Sequence, residues 1–305
     1  MPDAINRADI AFRTEDGITL RGWFYRPPVA EGPFPVVVMA HGFSAVKEMY
    51  LDRFAEAFAD AGLACLVFDN RGFGASDGCP RQEADPWRQV RDYRDAITFA
   101  ETRPEVDAER IGVWGSSYSG GHVLVVGAID RRVRCVVSQV PLVSGHANAA
   151  RMIHADQVAG LRDMFHADRR ARLAGAEPML IPVVAVAPSD PAALPGRDAW
   201  AWFTETALTR AAGWRNAITL RSVEMYTEYE PNAYIAQISP TPLLMVVALQ
   251  DCVTPADIAL SAYQLAMEPK RLVTLPGGHF DAYTVGFGIA SDAAVDWLRT
   301  YLGGG

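Results

Sequence analysis

The feature that most constrains this chain is an alternation of short apolar runs with amphipathic segments. The apolar runs, rich in Val, Leu and Ile, lie at 35–42, 63–69, 110–115, 134–140, 242–250 and 270–278. Runs of this kind are typical of strands buried on both faces of a parallel sheet. The helical patterns between and after them lie at 47–62, 86–103, 119–130, 255–268 and 289–302. The chain is therefore predicted to be an α/β protein, with ligands at the carboxyl ends of its strands.

The N-terminal region has a different pattern. Residues 8–27, "ADIAFRTEDGITLRGWFYRP", contain two β-prone runs on either side of a Glu-Asp-Gly turn. This arrangement predicts an antiparallel hairpin that opens the sheet.

The alternation is interrupted once, between about residues 144 and 239. Helical stretches rich in aromatic residues are separated there by Pro-rich turns such as "IPVVAVAPSDPAALPG". A structureless loop of this length is rare, so the segment is interpreted as an inserted helical cap. The predicted domains are an α/β core at 1–143 and 240–305 and a cap at 144–239.

Composition and charge narrow the function classes. The 305 residues carry a formal net charge of −8, which offers no basic surface for nucleic acid or an anionic membrane. The four cysteines form no CxxC pair, and His146, His154 and His166 share no metal-ligand spacing, so no metal is predicted. The Gly-rich stretch 68–78 lacks the P-loop and dinucleotide patterns, so no cofactor is predicted.

The same observations bear on location and partners. No apolar signal core opens the chain, no run approaches 18 apolar residues, and free thiols fit a reducing compartment. The sequence predicts a soluble cytoplasmic protein with a small-molecule partner, and a homo-oligomer is left open.

Residues 110–126, "RIGVWGSSYSGGHVLVV", predict a sharp strand-to-helix turn that carries a nucleophile. A residue held up on such a turn needs small neighbours two positions away on either side. Ser117 has Gly115 before it and Ser119 after it, whereas Ser116 follows Trp114 by two positions. Ser117 is the predicted nucleophile, and Ser119 is the fallback.

In α/β enzymes whose nucleophilic serine lies on such a strand-to-helix turn, the acid follows the serine in the sequence and the histidine comes last. His279 follows the last apolar run in "LPGGHFDAY", which predicts the base. Thr254, Pro255 and Asp257 have the pattern of a helix N-terminus, with Asp257 as the capping acid. Asp251 is left at the strand end as the predicted acid of the triad.

The oxyanion hole is predicted from "HGF" at the end of the first parallel run. Backbone N–H groups of Phe43 and of Tyr118, the residue after the nucleophile, are the expected donors. His41 is interpreted as a structural hydrogen-bonding residue under this loop.

With "HGF", "FDNRGFGASDG", "GSSYSGG", "LQD" and "GGH" in this order, the chain resembles the α/β-hydrolase fold superfamily over nearly all of its length outside the cap. It is most similar to the branch of dienelactone-hydrolase-like enzymes, X-prolyl dipeptidyl peptidases and cocaine-esterase-like acyl hydrolases, and to polyketide-processing hydrolases. The resemblance implies an eight-stranded, mostly parallel sheet under a helical cap. Phe43 stands where some relatives carry a Tyr that assists the oxyanion, so backbone groups alone are expected here.

The predicted function is that of a serine hydrolase that cleaves an ester or thioester of a hydrophobic acyl group through an acyl-enzyme on Ser117. An acyltransferase or a polyketide-releasing enzyme with the same triad is the close alternative. A catalytically silent ligand-binding module and a proline-directed peptidase are weaker alternatives, since the triad is complete and no acidic clamp for a peptide amine can be assigned.

Overall fold

One eight-stranded sheet organises the part of the chain that the computed structural model describes, residues 6–28, 31–187 and 190–303. Residues 1–5, on which part of the predicted location rests, lie outside these ranges. In chain order the strands are β1 (Asn6–Arg13), β2 (Thr19–Arg26), β3 (Phe34–Ala40), β4 (Ala64–Phe68), β5 (Val106–Ser116), β6 (Val133–Gln139), β7 (Leu180–Ile181), β8 (Ile218–Thr219), β9 (Leu243–Ala248) and β10 (Lys270–Leu275).

The sheet has the strand order β1-β2-β4-β3-β5-β6-β9-β10. Strand β2 pairs antiparallel with β1 and with β4, and all the other neighbours are parallel. Every predicted run forms a strand, and the N-terminal hairpin is present. The predicted eight-stranded, mostly parallel sheet is therefore confirmed. β10 differs from the buried inner strands because it is the sheet edge, where Arg271 and Thr274 are exposed.

The described helices are α1 (Leu51–Asp60), α2 (Pro86–Glu101), α3 (Tyr118–Ile129), α4 (Gly145–Met152), α5 (Val158–Leu173), α6 (Arg197–Thr209), α7 (Leu220–Glu228), α8 (Ala256–Leu265) and α9 (Phe287–Leu302), with 3₁₀ helices at Pro231–Gln237 and His279–Tyr283. Helices α2 and α3 pack on one face of the sheet, and α1 and α9 pack on the other. Helix α3 is buried around most of its circumference because it lies between the sheet, α2 and the 3₁₀ helix Pro231–Gln237.

Helix α1 begins four residues later than predicted, for a local reason. The backbone N–H of Lys47 donates to Asp69 Oδ1 at 2.9 Å, and the Lys47 ammonium pairs with the other carboxylate oxygen at 2.7 Å. Tyr50, just before the helix, has a φ of 74°. These contacts hold residues 43–50 as a loop above the sheet edge.

The segment between β6 and β9 holds α4 to α7 and also the short antiparallel pair of β7 and β8, which the sequence pattern did not predict. Several of its side chains reach the core; Trp214 Nε1 donates to Ser44 O at 2.9 Å, and Asn148 Nδ2 donates to Val253 O at 2.9 Å. These contacts place the segment above the carboxyl ends of the strands. The cap boundaries at 144 and 239 stay a prediction.

Candidate active site

Ser117 lies on the sharp turn between β5 and α3. Its backbone has φ 60° and ψ −117°, a conformation that residues with a side chain adopt at a cost and that is frequent at functional sites. A Cβ at Gly115 would lie 2.1 Å from the carbonyl oxygen of Ser119, so only glycine fits two residues before the turn. The turn lifts the Ser117 side chain to the carboxyl end of the sheet.

The two neighbouring serines have structural partners instead. Ser116 Oγ lies 2.6 Å from the Tyr283 hydroxyl and accepts a hydrogen bond from Gln139 Nε2 at 3.2 Å. Ser119 Oγ donates to the carbonyl oxygen of His41, which explains how a serine is accepted where the strict motif has glycine. The geometry brings Ser117, of the three, to an imidazole.

His279 connects Ser117 to Asp251. Its Nε2 lies 3.0 Å from Ser117 Oγ, and its Nδ1 lies 2.7 Å from Asp251 Oδ2. All three residues are at least nine-tenths buried. The structure thus brings together the three predicted residues in the arrangement by which a carboxylate orients an imidazole and the imidazole deprotonates a hydroxyl.

The loop before His279 is fixed by Asp281. The N–H of Gly278 donates to Asp281 Oδ2 at 2.7 Å, and Gly277 has φ 96°. A Cβ at Gly277 would lie 2.2 Å from the same carboxylate oxygen. Both glycines of "GGH" are therefore part of how the chain presents the imidazole.

The carboxylate of Asp251 is held by the turn that follows it. The N–H groups of Val253 and Thr254 donate to Asp251 Oδ1 at 2.8 and 2.7 Å. These two bonds leave Oδ2 free to face the imidazole of His279.

Thr254 has a role that the sequence analysis missed. Its hydroxyl oxygen lies 3.0 Å from Asp251 Oδ2 and 3.1 Å from His279 Nδ1. The prediction that Thr254 caps a helix is wrong, because α8 begins at Ala256 with no side-chain cap, and Asp257 forms an exposed ion pair with Arg151. A Thr three residues after a candidate acid could have been considered as a contact to that acid.

The loop after β3 approaches Ser117 closely. A Cβ at Gly42 would lie 2.6 Å from the Cβ of Ser117, so the loop can reach the nucleophile only as glycine. Among the contacts of the described residues, the N–H groups of Phe43 and Tyr118 donate to no protein acceptor. Both remain available to a substrate oxygen, as an oxyanion hole requires.

His41 supports this loop as a neutral imidazole. Its Nδ1 accepts from the N–H of Gly42 at 2.7 Å, which leaves the proton on Nε2 to donate to Met49 O at 2.8 Å. Complete burial lowers the pKa of His41 to about 4. The ring therefore orients the loop and stays uncharged at neutral pH.

A small cavity of about 10 Å³ adjoins Ser117, which is room for about one water molecule. Apolar side chains form most of its wall, among them Phe43, Leu194, Trp202, Phe203, Phe280 and Tyr283. None of the described residues that line it carries a carboxylate, a guanidinium or an ammonium group. The space beside the nucleophile therefore suits an uncharged acyl group.

A metal-binding cluster and a membrane-spanning helix are both absent from the described residues. No group of three or more His, Cys, Asp or Glu side chains there is placed to hold a metal ion. None of the helices described above is both long enough and apolar enough to span a bilayer.

Comparison with known proteins agrees with this fold. The sequence model of the family described as X-Pro dipeptidyl-peptidase (S15 family) matches residues 16–281. A thiohydrolase, aneE, of Aspergillus aculeatus is 35% identical over 274 residues, covering 87% of this chain and 83% of the relative. A polyketide transferase, grgF, of Penicillium sp is 32% identical and covers 90% of each chain.

A solved structure has the same fold. The crystal structure of the α/β hydrolase GrgF from Penicillium sp. sh18 superimposes with a TM-score of 0.84 at 30% identity, covering 98% of this chain and 99% of that one. The fold and these relatives define a serine hydrolase of the α/β-hydrolase class. Within that class, the chain belongs to the X-Pro dipeptidyl-peptidase family, S15.

Proposed function

We propose that this protein cleaves a thioester or carboxylic ester of an apolar acyl group through an acyl-enzyme on Ser117. The observation that carries the proposal is the unbroken line of contacts from Asp251 through His279 to the Ser117 hydroxyl. This line ends at a hydroxyl that lines a cavity, where a carbonyl carbon can be attacked.

In the proposed reaction, His279 Nε2 takes the Ser117 proton as Oγ bonds to the carbonyl carbon. The carbonyl oxygen becomes an oxyanion and accepts hydrogen bonds from the N–H groups of Phe43 and Tyr118. As the carbon–sulfur or carbon–oxygen bond breaks, the imidazolium returns its proton to the leaving thiol or alcohol. Water then adds to the acyl-enzyme with the same base and acid, releasing the carboxylic acid and restoring Ser117.

The lining of the pocket supports an uncharged acyl substrate and argues against a peptide. Enzymes that remove a dipeptide must hold a free ammonium group, which requires an acceptor such as a carboxylate. The described side chains that line the small cavity beside Ser117 carry no carboxylate. We therefore propose acyl rather than X-Pro peptide substrates for this member of the family.

The names of the relatives support a thioester as the first substrate to test. One is a thiohydrolase, and another is a polyketide transferase of similar identity. Both names are consistent with an acyl-enzyme, which is hydrolysed in the first case and passed to another acceptor in the second. Transfer to an alcohol or amine is therefore the second candidate, and it differs from hydrolysis only in what enters after the leaving group departs.

We propose a cytoplasmic location and a small-molecule substrate. Cys65, Cys79, Cys135 and Cys252 are all free, and two of them are exposed. Exposed free thiols are more compatible with a reducing compartment than with an oxidising one.

The proposal is tested with the octanoyl thioester of N-acetylcysteamine, the matched ethyl ester and a Gly-Pro anilide. Ser117→Ala is compared with wild type, and Ser291→Ala, a buried serine in α9, serves as the matched control. We expect thioester or ester turnover that falls by about 10⁴-fold or more in Ser117→Ala and is retained in the control. Turnover of the anilide alone, or turnover that does not depend on Ser117, would contradict the proposal.

The transferase alternative is separated by adding octanol to the same reaction. Octanoic acid as the main product supports hydrolysis, whereas octyl octanoate as the main product at millimolar acceptor favours transfer. Both products would have to disappear together in Ser117→Ala, because both arise from one acyl-enzyme.

A further inference from the structure

The cavity beside Ser117 is too small for the acyl group that the reaction needs. Its volume of about 10 Å³ holds one water, whereas pockets for small organic ligands have volumes of about 300–1,000 Å³. A substrate must therefore extend beyond this space, which requires side chains that line it to move aside.

A second cavity, the cap cavity, adjoins the first at Phe43. It has a volume of about 650 Å³ and is lined by residues of α4, α5, α7 and the segment 190–195, which includes Asp190. Apolar side chains form most of its surface, among them Met152, Leu161, Met164, Leu220 and Val223. This volume is within the range of a ligand-binding pocket, and its lining suits a long or branched apolar chain.

Phe43 lines both cavities. Leu194 lines the Ser117 cavity, while the adjacent Ala193 and Pro195 line the larger one. The Phe43 side chain, which is 5% exposed, therefore lies between the two cavities.

Leu194 and Phe43 are held in place by different kinds of contact. The N–H of Leu194 donates to Val183 O at 2.8 Å, and the N–H of Ala193 donates to Pro182 O at 2.9 Å. The backbone of this segment is therefore fixed by hydrogen bonds. The Phe43 ring makes edge-to-face contacts with Tyr118 and Tyr226, at centroid distances of 5.3 and 5.5 Å. Rotation of the Phe43 side chain breaks no hydrogen bond.

We propose that the Phe43 side chain determines acyl-chain specificity, because long apolar acyl groups reach the cap cavity from Ser117 by passing this ring. The backbone N–H of Phe43 then faces the oxyanion while its side chain borders the acyl tail. This inference rests on the proposed function and names its substrate class, thioesters and esters of long or branched apolar acids, with the tail in the cavity between α4, α5 and α7.

The test compares acetyl and decanoyl thioesters of N-acetylcysteamine. Phe43→Ala removes the ring and joins the two cavities, so the ratio of kcat/KM for decanoyl over acetyl should rise about tenfold or more. Phe12→Ala, also a buried phenylalanine with 5% exposure but located in β1, is the control for general destabilisation, and its ratio should equal that of wild type. An unchanged ratio in folded Phe43→Ala would overturn the inference.

A second variant locates the tail. Ala149 and Val223 line the cap cavity, and a Trp at either position fills part of it. In the Phe43→Ala background, Ala149→Trp or Val223→Trp should return the ratio toward the wild-type value; a ratio that stays raised in both would place the tail elsewhere.

Failure of the proposed function has a separate signature. If wild type neither turns over the acetyl thioester nor accepts a small fluorophosphonate on Ser117, the acyl-enzyme mechanism is wrong. If wild type passes both checks and only the Phe43→Ala ratio stays constant, the mechanism stands and the specificity proposal is wrong.

Discussion

The carboxylate of Asp251 lies 2.7 Å from Nδ1 of His279, and both side chains are almost completely shielded from water. This contact fixes the proton on Nδ1 and leaves the lone pair of Nε2 facing Ser117. An imidazole without this partner can adopt the other tautomer, in which Nε2 carries the proton and cannot act as a base.

Replacing Asp251 by Asn should therefore abolish most of the activity while keeping the shape of the site. We expect kcat to fall by about 10⁴-fold at neutral pH, measured by thioester hydrolysis. Asp257→Asn changes the other acid of the same sequence stretch, which forms an exposed ion pair with Arg151, and should retain kcat. The reverse ranking of the two variants would assign the acid of the triad to Asp257.

The close approach of Gly42 to Ser117 gives a second prediction. Gly42→Ala places a Cβ against the Cβ of Ser117 and should push the Phe43 N–H away from the oxyanion. The loss of one such donor corresponds to a fall in kcat of about 10²–10³-fold. Gly213→Ala, where a Cβ meets nothing within 4 Å and φ lies outside the left-handed region, controls for the glycine change itself, and thermal unfolding checks that both variants fold. Full activity in Gly42→Ala would show that this loop does not supply the oxyanion donor.

Thr254 is expected to position the pair of Asp251 and His279. Thr254→Val removes the hydroxyl that lies 3.0 Å from the carboxylate and 3.1 Å from Nδ1, and should lower kcat about tenfold with little change in KM. Thr254→Ser keeps the hydroxyl and should restore kcat. Full activity in Thr254→Val, which keeps the methyl group, together with a loss in Thr254→Ser would show that packing of the methyl group is what matters.

The pH dependence of stability should reflect the buried neutral histidines. Burial lowers the pKa of His122 to about 3 and that of His41 to about 4, whereas the unfolded chain has a histidine pKa of about 6.5. Between pH 6.5 and 4 the unfolded chain therefore binds protons that the folded chain does not bind. Each histidine should lower the free energy of unfolding as the pH falls through this window, by up to about 1.4 kcal/mol per pH unit, and Asp92, whose pKa burial raises to about 6, acts in the opposite direction.

His122→Gln should remove one of these contributions. Urea unfolding of wild type and variant at pH 7 and pH 5 gives the two slopes, and the variant's mean slope should be smaller by about 1 kcal/mol per pH unit, because the unfolded histidine is mostly neutral above pH 6.5. His166→Gln changes an exposed histidine in α5 and should leave the slope as in wild type. Identical slopes for His122→Gln and wild type would mean that His122 is protonated in the folded protein.

The sequence was sufficient to predict the sheet because its signals are local and repeated. Runs such as 35–42 and 63–69 are apolar at nearly every position, which only strands buried on both faces require. The turn at Ser117 was predictable for a similar reason, since the backbone strain at one residue dictates small residues at fixed offsets.

Other parts of the site depend on contacts that no local pattern encodes. Thr254 has a sequence that fits a helix cap, yet its hydroxyl contacts Asp251 and His279 because β9 and β10 are neighbours in the sheet. Phe43 and Leu194, which both line the cavity beside Ser117, are 151 positions apart and come together only when the insertion folds over the sheet. The extent of the cap, 144–239, stays a prediction because the 3₁₀ helix Pro231–Gln237 packs against core helix α3.

The most direct test of the central claim is to label the folded protein with a fluorophosphonate and map the adduct by mass spectrometry. Trypsin cleaves after Arg110 and Arg131, so the peptide 111–131 contains Ser116, Ser117 and Ser119, and fragmentation separates them. The account predicts a single adduct on Ser117 that His279→Ala prevents. An adduct on either neighbouring serine, or a folded wild-type protein that labels on no serine, would contradict it.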